Sequence, residues 1–327
     1  MYVAESAGAH GGPLRQDPPP GLAAADRPAL VVDLVRLVRP LHSAKALLLM
    51  PVALIGASPW TLAAVGGVAW AALAFILASA AVYVGNDIAD RHRDRRHPVK
   101  CHRPIAAGRV PVWGGYVYCA ALLGLLAAVV GTGQGTYWPV PVYLALNVAY
   151  SRVLKHIPLV DVVTVALGFV LRVVQGYIAT GERVAGWLLV TVFSVSLLLL
   201  IGKRRQELLE VGAAHRPALA GYSVELANAL LQITAVLALV AGLIYLNTEA
   251  PFGPDHGGTA MVLSTPFALF ALFRYLQIQL AGQGGTDPVR VLLHDRVMVG
   301  VCALWMAVLA ATLVLTHYPV LAHAILP

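Results

Sequence analysis

Asn86-Asp87-Ile88-Ala89-Asp90-Arg91-His92-Arg93-Asp94 stands where a long apolar run stops, and the reading of the whole chain turns on it. On a helix of 3.6 residues per turn, Asp87, Asp90 and Asp94 fall at about 0°, 300° and 340°, so their carboxylates share one face. Three like charges that close together need a cation. Arg91, Arg93, Arg95 and Arg96 would supply it if the strip were only a solvated helix end. A membrane boundary is a costlier place for such acids, and ionisable groups there tend to mark function. Hard oxygens with room for water and phosphate suit Mg2+ better than a softer metal, which makes Asp87, Asp90 and Asp94 the candidate metal ligands and catalytic residues.

The membrane itself is read from composition. Of the 327 residues 59% are hydrophobic and only 12% are charged, outside the usual range of soluble domains. Apolar runs able to cross ~30 Å of hydrocarbon lie at 41–58, 62–85, 112–131, 137–151, 158–179, 185–202, 223–246, 259–280 and 295–316. This pattern predicts an all-α membrane protein of about nine transmembrane helices, the fourth being short and opening with Pro139 and Pro141. With a cytoplasmic N-terminus, 21 of the 23 lysines and arginines fall on the inner face, and the C-terminus faces outward. Residues 1–35 are rich in Pro, Gly and Ala and lack an apolar signal region, so they read as a disordered cytoplasmic tail. Residues 36–327 then form a single transmembrane domain.

The formal charge of +7 is spread over short loops, not along one soluble face, which argues against a nucleic-acid binder and for topology plus anionic ligands. Cys101, Cys119 and Cys302 are far apart and indicate neither a disulfide framework nor a zinc site. His92, His97 and His102 scatter around a helix, and no HExxH, GxGxxG or GxxxxGK[ST] pattern occurs. A homo-oligomer is left open.

Four further stretches carry chemistry. After the acidic strip, Arg95-Arg96-His97-Pro98-Val99-Lys100-Cys101-His102-Arg103 brings cations beside the candidate metal site. That pairing suits a diphosphate, bridged by the metal and neutralised by groups such as Lys100 and Arg103; the competing reading is a positive-inside anchor. In the fifth helix, Asp161, Thr164, Gly168, Arg172 and Gln175 lie in one narrow arc, a polar stripe expected to line a cavity that opens to the cytoplasm. Asp161 and Arg172 are about 16 Å apart along the axis and cannot pair with each other, so each needs another partner or water.

Tyr150 and Lys155 reach the same membrane level, as substrate-binding groups or as an interfacial tyrosine and a snorkelling lysine. Finally, Lys203, Glu207 and Glu210 share a face after the sixth span, beside Arg204. They are a second half of the site or an ordinary surface pair. Asp287, His294, Asp295 and Arg296 read mainly as loop and helix-cap features.

The pattern NDxxDxxxD, at Asn86, Asp87, Asp90 and Asp94 and closing the second span, resembles the first aspartate-rich motif of the UbiA superfamily of intramembrane prenyltransferases. The resemblance runs over about residues 36–316. Asp94-Arg95-x-His97-Pro98-x-Lys100-x-x-Arg103-Pro104-Ile105-Ala106-Ala107-Gly108, with Gly202-Lys203-Arg204 and Leu219-Ala220-Gly221-Tyr222-Ser223, is most similar to the superfamily's phosphoribosyl-transferring branch. In the first helix Arg39, Pro40 and Lys45 match that branch, whereas Ser43 and Ala46 depart from it. Where the superfamily carries a second DxxxD after the sixth span, this chain has Glu207 and Glu210, which favours the phosphoribosyl branch.

The resemblance implies a Mg2+-dependent transfer of 5-phosphoribose from phosphoribosyl pyrophosphate to a polyprenyl phosphate, at the inner face of a bacterial plasma membrane, towards cell-wall arabinan precursors. Asp87, Asp90 and Asp94 would hold the metal; Lys45, Asn86, Lys100, Arg103, Lys155, Lys203 and Arg204 would share the phosphates. Tyr150, Asp161, Arg172 and Glu207 complete the expected substrate site. The alternative is prenyl transfer from a prenyl diphosphate to an aromatic or lipid acceptor, which the same acidic strip would serve.

Overall fold

Helix follows helix along the chain of this computed structural model, which describes residues 30–40, 50–56, 61–97, 99–211, 217–281 and 293–317. In order they are α1 (Leu30–Val38), α2 (Val52–Gly56), α3 (Leu62–Ala89), α4 (Arg91–Asp94), α5 (Val112–Thr132) and α6 (Pro139–Arg152). Then come α7 (Val160–Thr180), α8 (Gly186–Val211), α9 (Val224–Thr248), α10 (Gly253–Leu280) and α11 (Arg296–His317), with no strand among the described residues. The all-α expectation holds.

Seven of these helices are long and apolar enough to cross a membrane: α3, α5, α7, α8, α9, α10 and α11. Nine were expected. The fourth expected span is the 14-residue α6, which at 1.5 Å per residue is about 21 Å long, short of the ~30 Å core. Pro139 and Pro141 begin it, since a proline lacks the N–H that only the first helical turn can spare. Of the first expected span, 41–58, most lies outside the described residues; Met50–Gly56 contributes only the short α2.

The expected tail lies outside the described residues up to residue 29, but its last part does not read as a tail. Leu30–Val38 is helical, with Asp33 and Leu37 buried. Asp33 accepts from Nε of Arg109 at 3.0 Å, and the Leu37 side chain joins the core around Phe75.

Lipid is as apolar as leucine, so helices in it associate through close packing and polar contacts instead of by escaping water. The chain uses small residues for this. Ala71, Ala74, Ala78, Ser79 and Ala81 line the buried side of α3, and a Cβ added at Gly67 would lie 2.7 Å from the carbonyl oxygen of Ala179 in α7. At Gly176 of α7 it would lie 2.7 Å from the carbonyl of Met50. Half of the apolar window of α3 and of α7 is buried, against 11% for α11, which places α3 and α7 at the centre and leaves α11 packed chiefly on α10. Hydroxyls of Thr164, Ser194, Thr234 and Thr312 donate to the carbonyl four residues back and so need no other partner in hydrocarbon.

Candidate active site

The acidic strip does not stay one continuous helix. α3 ends at Ala89, Asp90 leaves helical geometry at φ −87° and ψ 2°, and α4 restarts over four residues. Asp87 and Asp94 are buried, at 2% and 3% exposure, whereas Asp90 is only half-buried. The cation that the cluster requires is a guanidinium: Nη1 of Arg103 donates to Oδ1 of Asp87 at 3.1 Å and to Oδ2 of Asp94 at 2.6 Å. Nη2 of Arg39 donates to the same Asp87 oxygen at 2.6 Å. Asp90 instead faces Nζ of Lys155 at 3.5 Å.

The three-aspartate metal cluster expected from the sequence is therefore not assembled, and no group of three His, Cys, Asp or Glu among the described residues is placed to hold a metal. The reason is electrostatic, since two buried carboxylates at this distance accept whichever cation is available and Arg103 lies within reach. The donor set still fits a hard divalent ion. One nitrogen already touches an oxygen of each aspartate, so both can converge on a single cation, and the ligands are all oxygen.

Local structure brings these groups in. Nδ1 of His97 accepts from the backbone N–H of Val99 and Lys100, folding the loop into the 3-10 turn Lys100–His102 that aims Arg103 back at α3. Nε of Arg95 donates to the carbonyl of Ala106. Arg39, just past α1, has a φ of +49°, an uncommon left-handed conformation for a non-glycine residue, sustained by its Asp87 ion pair and its stacking 5.0 Å from the Tyr83 ring centre. Partial desolvation of the Lys100 ammonium, reinforced by the positive charge of Arg103, lowers its pKa from the ordinary lysine value.

A second cluster joins α7 and α8. Asp161, fully buried, accepts from Nε of Arg204 at 2.7 Å and from the Tyr222 hydroxyl at 2.9 Å. Arg204 also donates through Nη1 to Glu207 at 2.6 Å, and the Leu159 N–H donates to the Tyr222 oxygen. Burial and the Asp161 charge raise the Tyr222 pKa. Arg205 is engaged on the other side of α8, with Asn228 and the carbonyl of Gln279, each at 2.6 Å. Lys203 is exposed.

The two clusters meet through the segment after α6. The Ser151 hydroxyl donates to Oδ1 of Asn86 at 2.6 Å, Lys155 faces Asp90, and Tyr150 lies within electrostatic reach of Arg204. Segments 86–103, 150–155 and 203–210, far apart in sequence, thus converge at one end of the bundle.

The stripe on α7 is buried: Asp161 0%, Thr164 6%, Arg172 7% and Gln175 1% exposed. Asp161 and Arg172 take separate partners. Arg172 donates to the carbonyl of Gly168 at 2.7 Å and to the Tyr143 hydroxyl at 3.0 Å, with Ser79 Oγ at 3.5 Å. Lys45 and Asp287 lie outside the described residues. Asp295 caps α11 by accepting from the Met298 N–H and pairs with Arg274, the helix-cap role read from its position.

Reading the sequence did not single out Ser151, Tyr143 or Ser79, and noted Arg39 and Tyr222 only as family matches. A tyrosine or serine in an apolar run carries no signal of its own.

Fold and site define a multi-span helical membrane protein with acid–guanidinium clusters gathered at one end. The UbiA prenyltransferase family profile matches residues 46–287, and the chain belongs to that family. It is 31% identical over 305 residues to decaprenyl-phosphate phosphoribosyltransferase of Mycobacterium tuberculosis, covering 86% of this chain and 94% of that protein. A protein of the same name from Corynebacterium glutamicum is 31% identical over 244 residues, 73% of each chain. The fold superposes on a UbiA homologue from Archaeoglobus fulgidus bound to DMAPP and Mg2+, with a TM-score of 0.62 and 21% identity over 86% of this chain and 99% of that one.

Proposed function

We propose that this protein transfers 5-phosphoribose from phosphoribosyl pyrophosphate to a polyprenyl phosphate at the cytoplasmic end of the bundle. The observation that carries the reading is Arg103 bridging Asp87 and Asp94, with Arg39, Lys100 and Lys155 gathered around them. Two partly exposed guanidiniums on two buried carboxylates are an arrangement able to release cations to a diphosphate while a metal takes the acids. The two relatives named as phosphoribosyltransferases support the donor, and the basic loops support the cytoplasmic side.

Asp87 and Asp94 would hold Mg2+, which when bound would neutralise charge on a departing diphosphate. Arg103, Arg39 and Lys100 bind the diphosphate oxygens; Lys155 and the exposed Lys203 draw the acceptor phosphate to the same end. An acceptor phosphate oxygen attacks C1 of the ribose from the face opposite the diphosphate. The C1–O bond to pyrophosphate breaks, its electron pair leaves with pyrophosphate, and a new C1–O bond forms with inversion. A polyprenyl monophosphate is already ionised near neutral pH, so no strong general base is needed. Arg204 and Asp161 are spent on each other and keep α7 and α8 in register for Tyr150 and Lys155.

The protein incubated with labelled phosphoribosyl pyrophosphate and a polyprenyl phosphate is expected to yield a lipid-linked sugar phosphate. Absence of that product, with prenylated acceptor formed from a prenyl diphosphate in a parallel assay, overturns the reading in favour of prenyl transfer.

A further inference from the structure

Among the described residues, Arg172 is a buried arginine in the middle of a membrane-spanning helix that the reaction above leaves unused. It lies on α7 eleven residues past Asp161, about 16 Å further into the membrane, and only 7% of it is exposed. Three rings enclose its guanidinium carbon, at 4.6 Å for Tyr143, 5.4 Å for Phe169 and 5.6 Å for Phe75. Its Nη atoms are used by Gly168, Tyr143 and Ser79, but its Nε has no hydrogen-bond partner.

No carboxylate among the described residues pairs with it: Asp87 is held by Arg39 and Arg103, and Asp161 by Arg204. Aromatic faces offset only part of the cost of a buried cation in hydrocarbon. The missing partner is an anion.

A chain of neighbouring side chains joins Arg172 to the acidic cluster. Arg39, bonded to Asp87, stacks on Tyr83, and Tyr83 lies within electrostatic reach of both Tyr143 and Arg172. The Ser79 and Tyr143 hydroxyls, 3.1 Å apart, then meet the guanidinium. Ser79 and Asp87 are eight residues apart on α3, a separation of about 12 Å along the axis. A ribose with a diphosphate at one end and a phosphomonoester at the other spans such a column when extended. A hydrocarbon tail would set methylenes against a desolvated charge.

We infer that Arg172, Tyr143 and Ser79 form a second anion subsite that takes the phosphomonoester of the sugar donor, one layer below the diphosphate. The assignment rests on the phosphoribosyl reading for its ligand, though the subsite itself rests only on the unpaired cation. Arg172 anchors the far end of the donor, its charge completed by the phosphate and both hydroxyls donating to it. A donor held at both ends presents C1 in one orientation, and a donor without the phosphate loses that hold.

The test measures dissociation constants of ribose 5-phosphate, Mg2+-pyrophosphate and a short polyprenyl phosphate for the full-length protein and for Arg172→Gln, Arg172→Lys and Tyr143→Phe. Losing a charge-assisted contact should weaken ribose 5-phosphate about tenfold or more in Arg172→Gln, with Arg172→Lys in between and Mg2+-pyrophosphate within about twofold of wild type. Tyr143→Phe removes one hydroxyl and keeps the ring, so it decides the matter if Arg172→Gln does not fold: ribose 5-phosphate must weaken by about threefold or more.

Unchanged ribose 5-phosphate binding in Tyr143→Phe and Arg172→Lys overturns the subsite, and a loss confined to polyprenyl phosphate overturns its assignment to the donor. Ribose 5-phosphate bound through Arg172 by a protein that makes no lipid-linked sugar phosphate would instead sink the proposed reaction and leave the subsite standing.

Discussion

Asp87 and Asp161 are both buried aspartates at the same end of the bundle, each gripped by an arginine from elsewhere in the chain, but the arginines differ in their freedom. Arg103 and Arg39, on Asp87, keep 25% and 28% of their side chains exposed; Arg204, on Asp161, keeps 4%. The Arg204 pair is sealed by Tyr222 and Glu207. A cation that reaches water can be exchanged for another at modest cost, whereas one with a fully desolvated partner cannot leave without stranding a charge. The comparison teaches that residue type does not separate a binding cluster from a structural one, and that the exposure of the counter-ion does.

The sharpest break between the two clusters lies in chemistry. Asp87→Asn or Asp94→Asn should lower the initial rate of transfer by about a hundredfold to a thousandfold, as expected when a preorganised charge at the leaving group is lost. Rates within a few-fold of wild type would remove the first cluster from the active site.

Asp161→Leu should show its effect in stability. Losing the buried carboxylate leaves Arg204 with Glu207 alone and should cost about 3 kcal/mol, the low end for a broken buried pair, to be read from denaturation of the detergent-solubilised protein. Stability unchanged by that substitution would make the two clusters alike.

Arg103→Ala sharpens the idea of exchange. With the resident cation gone, Mg2+ titrated without donor should bind about tenfold more tightly than to wild type, followed by calorimetry and not by turnover. Unchanged or weaker Mg2+ binding would mean that Arg103 does not compete for the acids. Tyr222→Phe removes one hydrogen bond to Asp161 and should cost about 1 kcal/mol of stability with little change in rate.

The smallest effect concerns pH. Because the Lys100 pKa is lowered in the folded protein, its charge is lost at a lower pH than an ordinary lysine's, and donor affinity that depends on it should fall as pH rises through that lowered value. The stability linked to the same group runs the other way. Folding disfavours the protonated form, so this contribution is lost as pH falls through the folded value and is fully present above the ordinary one. Lys100→Arg should flatten the alkaline fall in affinity, and a profile identical to wild type would clear Lys100 of a role.

Much of this was legible from residue order. Asp87 and Asp94 were picked out, with Asp90, because acids at a membrane boundary are costly, which outweighs the competing reading of a solvated helix end. Asp161 and Arg172 stood out because a charge inside a 21-residue span must be compensated. What could not be read was who compensates whom. Arg103 reaches Asp87 across sixteen residues, Arg204 reaches Asp161 across forty-three, and Arg39 reaches Asp87 across forty-eight. The one-face argument for the aspartates also assumed a helix unbroken at Asp90, and the break sends Asp90 to Lys155 instead. Local periodicity carries no term for such long-range pairing.

By itself the sequence determined that this is a helical membrane protein with its charges collected at one end, because hydrocarbon admits only long apolar helices and expels ionised groups to their ends. It also determined the family, through a short run of acids and bases. Only the tertiary structure decided that Arg103 occupies the place between two aspartates, that Asp161 is locked and that Arg172 pairs with no carboxylate among the described residues. Those outcomes depend on which guanidinium lies nearest in space and how much water it keeps, and neither is a property of neighbours along the chain.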